Sequence, residues 1–117
     1  IQIWSYNLET VIAEKFESII KRGILGTRIR DYYDVYMLLN TQTKNINFNT
    51  LKDAIYSTAE YRNTINIIKD WSKIIEQLDN SDIMKKQWER YKKDNFYAKE
   101  IKYEDLIESL KQVGKIL

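Results

Sequence analysis

The segment Tyr6 to Gly23 reads Y-N-L-E-T-V-I-A-E-K-F-E-S-I-I-K-R-G, and Thr27 to Tyr36 reads T-R-I-R-D-Y-Y-D-V-Y. From Leu8 to Arg22 the apolar residues recur every three or four positions, the spacing of a helix that buries one face. Gly23 supplies its stop, because a residue without a Cβ takes the left-handed conformation that ends many helices. A second helix is expected from about Arg28 to Leu39, closed by the polar stretch Asn40 to Asn47. Helix following helix across a short link, with no strand between, points to a helical bundle.

Working outward, Thr50 is the expected N-cap of a third helix through Arg62, with Leu51, Ala54, Ile55 and Thr58 on one face. Ile67, Ile68, Trp71, Ile74, Ile75 and Leu78 predict one amphipathic fourth helix ending at the Asp79-Asn80 turn. Ser81 caps a fifth, whose Met84, Trp88 and Tyr91 form an aromatic-rich stripe up to about Asn95. Leu106, Ile107, Leu110, Val113 and Leu117 define a last helix from about Tyr103. At the other end, Ile1 to Tyr6 suits a short edge strand or the tail of a preceding sheet. The expectation is an all-α single domain, a bundle of about six helices with that one short N-terminal strand. The opening Ile-Gln-Ile-Trp, without a Met, suggests a piece of a longer protein.

The chain has 117 residues, with no Cys, no His and no Pro. Thiol nucleophiles, imidazole bases, zinc sites of Cys or His, and disulfides are therefore excluded. Any metal would have to sit on carboxylate oxygens, which leaves Mg²⁺ or Mn²⁺. Lys and Arg number 19 against 17 Asp and Glu, a net charge of +2, so bulk electrostatics do not announce a nucleic-acid binder. No apolar run is long enough to span a membrane, and no signal peptide is visible, so a cytoplasmic location is expected.

Successive residues about 100° apart on the first helix place Val11, Leu8, Ile19, Ile12, Phe16 and Ile20 on one arc, with Glu14, Glu17 and Lys21 opposite. Two charges fall inside the apolar arc: Lys15 between Val11 and Leu8, and Glu9 between Phe16 and Ile20. A buried unpaired charge costs several kcal/mol, so each needs a partner, a cavity or a ligand. The second helix is apolar nearly all round, and its charges Arg30, Asp31 and Asp34 crowd near its start. Ion pairing of Lys15 with Asp31 or Asp34 explains the pattern structurally. The concentration of Glu9, Lys15, Arg28, Arg30, Asp31 and Asp34 in two adjacent elements also suits a site where lysine holds a phosphate and carboxylates hold a metal or take a proton.

The two quoted segments resemble the AbiEii/AbiGii toxin family of bacterial nucleotidyltransferases, whose second half carries an L-E-x-x-x-A-E-K helix followed by T-R-x-K-D-x-x-D-x-Y. W-E-R-Y at Trp88 to Tyr91 and the closing helix extend the likeness. Asn7 stands where the family commonly has proline, and Arg30 where it has lysine. The family's Gly-Ser turn and Asp-x-Asp pair, which lie in its N-terminal half, do not occur here. The resemblance implies that Lys15 contacts nucleotide phosphates and that Asp31 and Asp34 match the later acidic motif, with Glu9, Arg28 and Arg30 as substrate-binding neighbours. It also implies that the chain is the C-terminal part of a longer nucleotidyltransferase-like protein, inactive without the N-terminal half as its partner. The implied reaction transfers a nucleoside monophosphate from NTP with Mg²⁺ to an acceptor such as a tRNA end, within a toxin-antitoxin or abortive-infection phage-defence system with an antitoxin partner.

Two other readings stay open. One is a helical interaction module that binds an antitoxin through an apolar groove. The other is an RNA-binding bundle, on the strength of Lys85, Lys86, Arg90, Lys92 and Lys93. On a helical wheel those cations lie opposite Met84, Trp88 and Tyr91, which turns the aromatics inward and makes a solvated face the plainer explanation.

Overall fold

In the computed structural model, residues 2–26 and 28–117 are described, with side chains described from Leu8 onward. The described residues form seven α-helices: α1 (Gln2–Arg22), α2 (Ile29–Thr41), α3 (Phe48–Tyr61), α4 (Ile65–Lys69), α5 (Trp71–Asp79), α6 (Asp82–Asp94) and α7 (Tyr103–Gly114). Short 3₁₀ turns at Gly23–Leu25, Thr43–Asn45 and Phe96–Ala98 join some of them. The all-α expectation holds, and no strand occurs among the described residues.

The expected strand at Ile1 to Tyr6 is overturned from Gln2 onward, where the chain is already helical; Ile1 lies outside the described residues. A strand with no neighbour leaves its ladder groups unpaired, whereas extending a helix satisfies each new N–H internally. Gly23 ends α1 as expected, with φ of +54°. The single long fourth helix divides at Asp70 into α4 and α5. Asp70 donates its backbone N–H to Ile67 O at 3.0 Å and accepts from Ile74 N at 3.1 Å, so both of its own backbone groups stay bonded through the turn. The turn lets α4 pack on α1 and α3 while α5 packs on α7.

Caps are local and legible. Ser81 Oγ accepts from Met84 N at 3.2 Å, and Asn47 Oδ1, rather than Thr50, caps α3 by accepting from Thr50 N at 2.9 Å. Every helix contributes to one apolar cluster. α1 lies against α2 and α3, and α7 packs between α2 and α5. Gly114 is where α7 meets Trp71, since a Cβ there would stand 2.2 Å from the indole. Trp88 is fully buried and donates its ring N–H to Ile101 O at 2.9 Å, which anchors α6 to the loop before α7. None of the described helices is long and apolar enough to cross a membrane.

Candidate functional site

α1 and α2 run side by side, and their meeting point holds the charges that the helical pattern left unexplained. Lys15 Nζ stands 3.4 Å from Asp31 Oδ1 and 3.0 Å from Asp34 Oδ2. Asp31 and Asp34 are three positions apart on α2, so a helical turn brings both carboxylates to one side. Asp31 is nearly buried, Asp34 is 23% exposed and the Lys15 side chain 28% exposed, so the ammonium reaches the surface while its partners anchor it. Arg28 Nε lies 3.4 Å from the other oxygen of Asp31, and Arg30 Nε lies 3.9 Å from Asp34. Lys15, Arg28, Arg30, Asp31 and Asp34 thus form one network lining an open cleft of about 470 Å³ with Ile29 and Tyr91.

Glu9 is buried as expected, but its recorded partner is elsewhere. It accepts the backbone N–H of Asn47 at 2.8 Å, where the chain enters α3. That contact satisfies the carboxylate and places it at the positive end of a helix dipole. Among the described residues no hydrogen bond or ion pair joins Glu9 to the Lys15 network.

Tyr91 borders the cleft and belongs to an aromatic group with Tyr33, Tyr97 and Trp88. Its hydroxyl lies 2.6 Å from that of Tyr97. Burial first, then the bond to Tyr97 and the nearness of Tyr97, push the Tyr91 hydroxyl well above the ordinary tyrosine value. Tyr33 is also pushed up, chiefly by burial. At neutral pH these groups offer protons to hydrogen bonds and do not act as bases.

Two expectations for α1 are corrected. Glu17, placed on the solvent face by the wheel, is 1% exposed, and Val11, placed in the apolar arc, is 37% exposed. Glu17 accepts from Arg62 Nη1 at 2.7 Å and from Thr64 Oγ1 at 2.8 Å. The buried arc of α1 is centred near Glu9 and Phe16, because α3 covers the side that carries Glu17. Nothing local to α1 signals this, since Arg62 is 45 residues away. On α6, Met84 and Trp88 are buried and Tyr91 half-buried, while Lys85, Lys86, Arg90 and Lys93 are exposed, the inward-aromatic arrangement the wheel gives; Lys92 departs from it, half-buried and paired with Glu89 at 3.0 Å.

Among the described residues no three carboxylates converge in a way that could hold a metal ion. Asp31 and Asp34 are both bonded to Lys15, so the described side chains do not by themselves fit a Mg²⁺ site. What the network offers is a cation presented at a cleft, flanked by two arginines. Such a group suits phosphate recognition by charge and hydrogen bonding.

The chain matches no curated protein sequence and no solved structure. The family model described as nucleotidyl transferase AbiEii toxin, Type IV TA system, matches residues 1–110. The Lys15 helix and the two aspartates of α2 lie within that match, which covers nearly the whole chain, and the chain belongs to the AbiEii family of nucleotidyl transferase toxins.

Proposed function

We propose that Lys15 contacts the phosphates of an NTP in a reaction that moves a nucleoside monophosphate to an acceptor, a tRNA end. The bond from the α-phosphorus to pyrophosphate breaks as one to the acceptor hydroxyl oxygen forms, and the hydroxyl proton passes to water. Negative charge builds on the departing pyrophosphate, and a lysine ammonium placed there offsets it. Asp31 and Asp34 hold that ammonium in place, and Arg28 and Arg30 add charge at the same mouth. The observation that carries this reading is the bracketing of Lys15 Nζ between two carboxylates at 3.4 and 3.0 Å while the side chain stays part-exposed in a cleft.

Mg²⁺, if the reaction uses it, would take most of its ligands from a further segment carrying a Gly-Ser turn and an Asp-x-Asp pair. In that arrangement this chain supplies the helical C-terminal part and is inactive alone. An antitoxin protein is the partner proposed for the exposed apolar residues Ile24 and Leu25, 47% and 87% exposed, in the turn after α1. The test is incorporation of labelled NTP into tRNA by the intact protein, its Lys15→Ala form and its Asp31→Asn form, with folding checked by circular dichroism. Loss of labelling in a folded Lys15→Ala protein supports the reading. Full labelling in both variants would make the network purely structural and leave antitoxin docking as the better account.

A further inference from the structure

Two clefts adjoin where α6 packs on α2, and they share a wall made of Ile29 and Tyr91. The first, about 470 Å³, holds the Lys15 network, and apart from that wall every residue lining it is charged. The second, about 340 Å³, carries a different chemistry. Beyond Ile29 and Tyr91 it is lined by Gln87, Arg90 and Asp94 of α6 and by Asn95, which follows it: two amides, a guanidinium and a carboxylate.

The shared wall is held from behind. Tyr91 stacks on the fully buried Trp88, with ring centroids 5.3 Å apart and 15° between the planes, and its hydroxyl lies 2.6 Å from that of Tyr97. Asn95 commits both ends of its amide to the same group: Nδ2 donates to Tyr91 O at 2.9 Å, and Oδ1 accepts from the Tyr97 hydroxyl at 3.1 Å. A ring fixed in this way, beside the aliphatic side chain of Ile29, offers apolar surface with little left to order on binding. Among the described residues Gln87, Arg90 and Asp94 make no side-chain hydrogen bond or ion pair. Unpaired polar groups on a helix surface are ordinary and by themselves call for no ligand. Their place is what matters here, in a cleft that shares Tyr91 with a lysine cluster.

We propose that the second cleft holds the nucleobase of the NTP, with Tyr91 as the surface it stacks on and Gln87 as the group that selects among bases; this rests on the phosphate role given to Lys15 above. An NTP has a polyanion at one end and, at the other, a flat heterocycle with donors and acceptors along its edge. The two clefts present a matching pair of chemistries across one shared wall. Every base has a π face, so stacking on Tyr91 accepts all four. Selection among them needs a group that both donates and accepts in a plane, as a side-chain amide does. With Asn95 bonded to Tyr91 and Tyr97, Gln87 is the amide of this lining left to do so.

The test is isothermal titration calorimetry of the intact protein, without acceptor, against ATP, GTP, CTP and UTP in turn and against inorganic tripolyphosphate, which has the anionic end and no base. Tyr91→Leu is expected to weaken the best-bound NTP about tenfold and to leave tripolyphosphate within about twofold. Tyr91→Phe keeps the ring and is expected to stay within about threefold of the parent for both. Gln87→Ala removes a side chain that no described residue bonds, so it should fold as the parent does, and it is expected to shrink the ratio between the best- and worst-bound NTP about fivefold. Unchanged NTP affinity in folded Tyr91→Leu overturns the proposal, as does an equal loss of NTP and tripolyphosphate. An unchanged ratio in Gln87→Ala overturns it too, and that arm stands even if Tyr91→Leu does not fold. A Tyr91→Leu protein that keeps its NTP affinity but loses affinity for a short RNA would assign the cleft to the acceptor's terminal base, which also overturns it. Lys15→Ala, run alongside, is expected to weaken NTP and tripolyphosphate together. If it weakens neither, the phosphate role of Lys15 fails, while the difference between NTP and tripolyphosphate in Tyr91→Leu still reads the base site by itself.

Discussion

Removing either partner of the Glu17–Arg62 pair should destabilise the bundle, and the two removals should not cost the same. Glu17 is 1% exposed and Arg62 is 38% exposed by side chain, with 2.7 Å between them. In Arg62→Ala the carboxylate stays buried with Thr64 Oγ1 at 2.8 Å as its one remaining donor among the described residues. Breaking a buried pair in this way costs about 3–5 kcal/mol. The lower end applies, because water can follow the space that the exposed guanidinium leaves. In Glu17→Ala the stranded group is an arginine that already meets solvent, and Thr64 keeps a weak bond to Ala59 O at 3.4 Å. Its cost is the lost hydrogen bonds and a small cavity, about 1–2 kcal/mol.

Urea unfolding followed by circular dichroism measures both, with an unchanged denaturant slope as the check that stability alone has moved. Arg62→Ala should lie at least ~1 kcal/mol below Glu17→Ala. The double variant Glu17→Met/Arg62→Met leaves no charge stranded and should recover to within about 1 kcal/mol of the parent. Arg62→Ala equal to or milder than Glu17→Ala, or a double variant as unstable as Arg62→Ala, would refute the account in which desolvation of Glu17 sets the cost.

Gly114→Ala should destabilise by about 1–3 kcal/mol despite alanine's better helix propensity, because its Cβ would stand 2.2 Å from Trp71; thermal melting measures it. Ser81→Ala should cost about 1 kcal/mol in urea unfolding through loss of the cap on Met84 N. Burial raises the hydroxyls of Tyr32 and Tyr103, with Tyr103 and Asp31 adding to the first and Asp79 to the second, above the ordinary value of 10.0. The folded chain therefore keeps protons that the unfolded chain releases, so this stability is fully present below about pH 10 and falls as pH rises beyond it, which a pH series of unfolding midpoints reads directly.

Helices whose ends are written in local residues were readable in the sequence. Gly23 and Ser81 are cases, since the stop and the cap each act within a few positions. The division of α4 from α5 was hidden because Ile67, Ile68, Trp71, Ile74 and Ile75 keep helical spacing across Asp70. Only the different neighbours of the two halves, α1 and α3 for one and α7 for the other, make the turn worthwhile. The pairing of Lys15 with the α2 aspartates was legible for a related reason. Once a charge is found beside an apolar stripe, chemistry requires a partner, and the next helix offered two carboxylates a turn apart. Glu17 escapes the same logic because an apolar arc drawn from Val11 to Ile20 lies too far round the helix and leaves Glu17 on the solvent side.

That displacement of the arc also changes what α1 is for. A wheel whose apolar arc runs from Val11 to Ile20 makes Glu14, Glu17 and Lys21 a solvated back, of no further interest. Centred near Glu9 and Phe16, the same helix sends Glu9 and Glu17 into the core, each met by a donor from the α3 region. Val11, Glu14, Ser18, Lys21 and Arg22 then become the floor of a furrow walled by Arg62 on one side and Arg28 on the other. The buried glutamates thereby do something the exposed residues cannot. Glu17 fixes the guanidinium of Arg62 at the wall, and Glu9 ties down the entry to α3, the helix that carries Arg62 at its far end. A furrow whose cations are positioned by buried acids keeps its shape without a ligand, and a preformed site loses less conformational freedom on binding than one that must assemble.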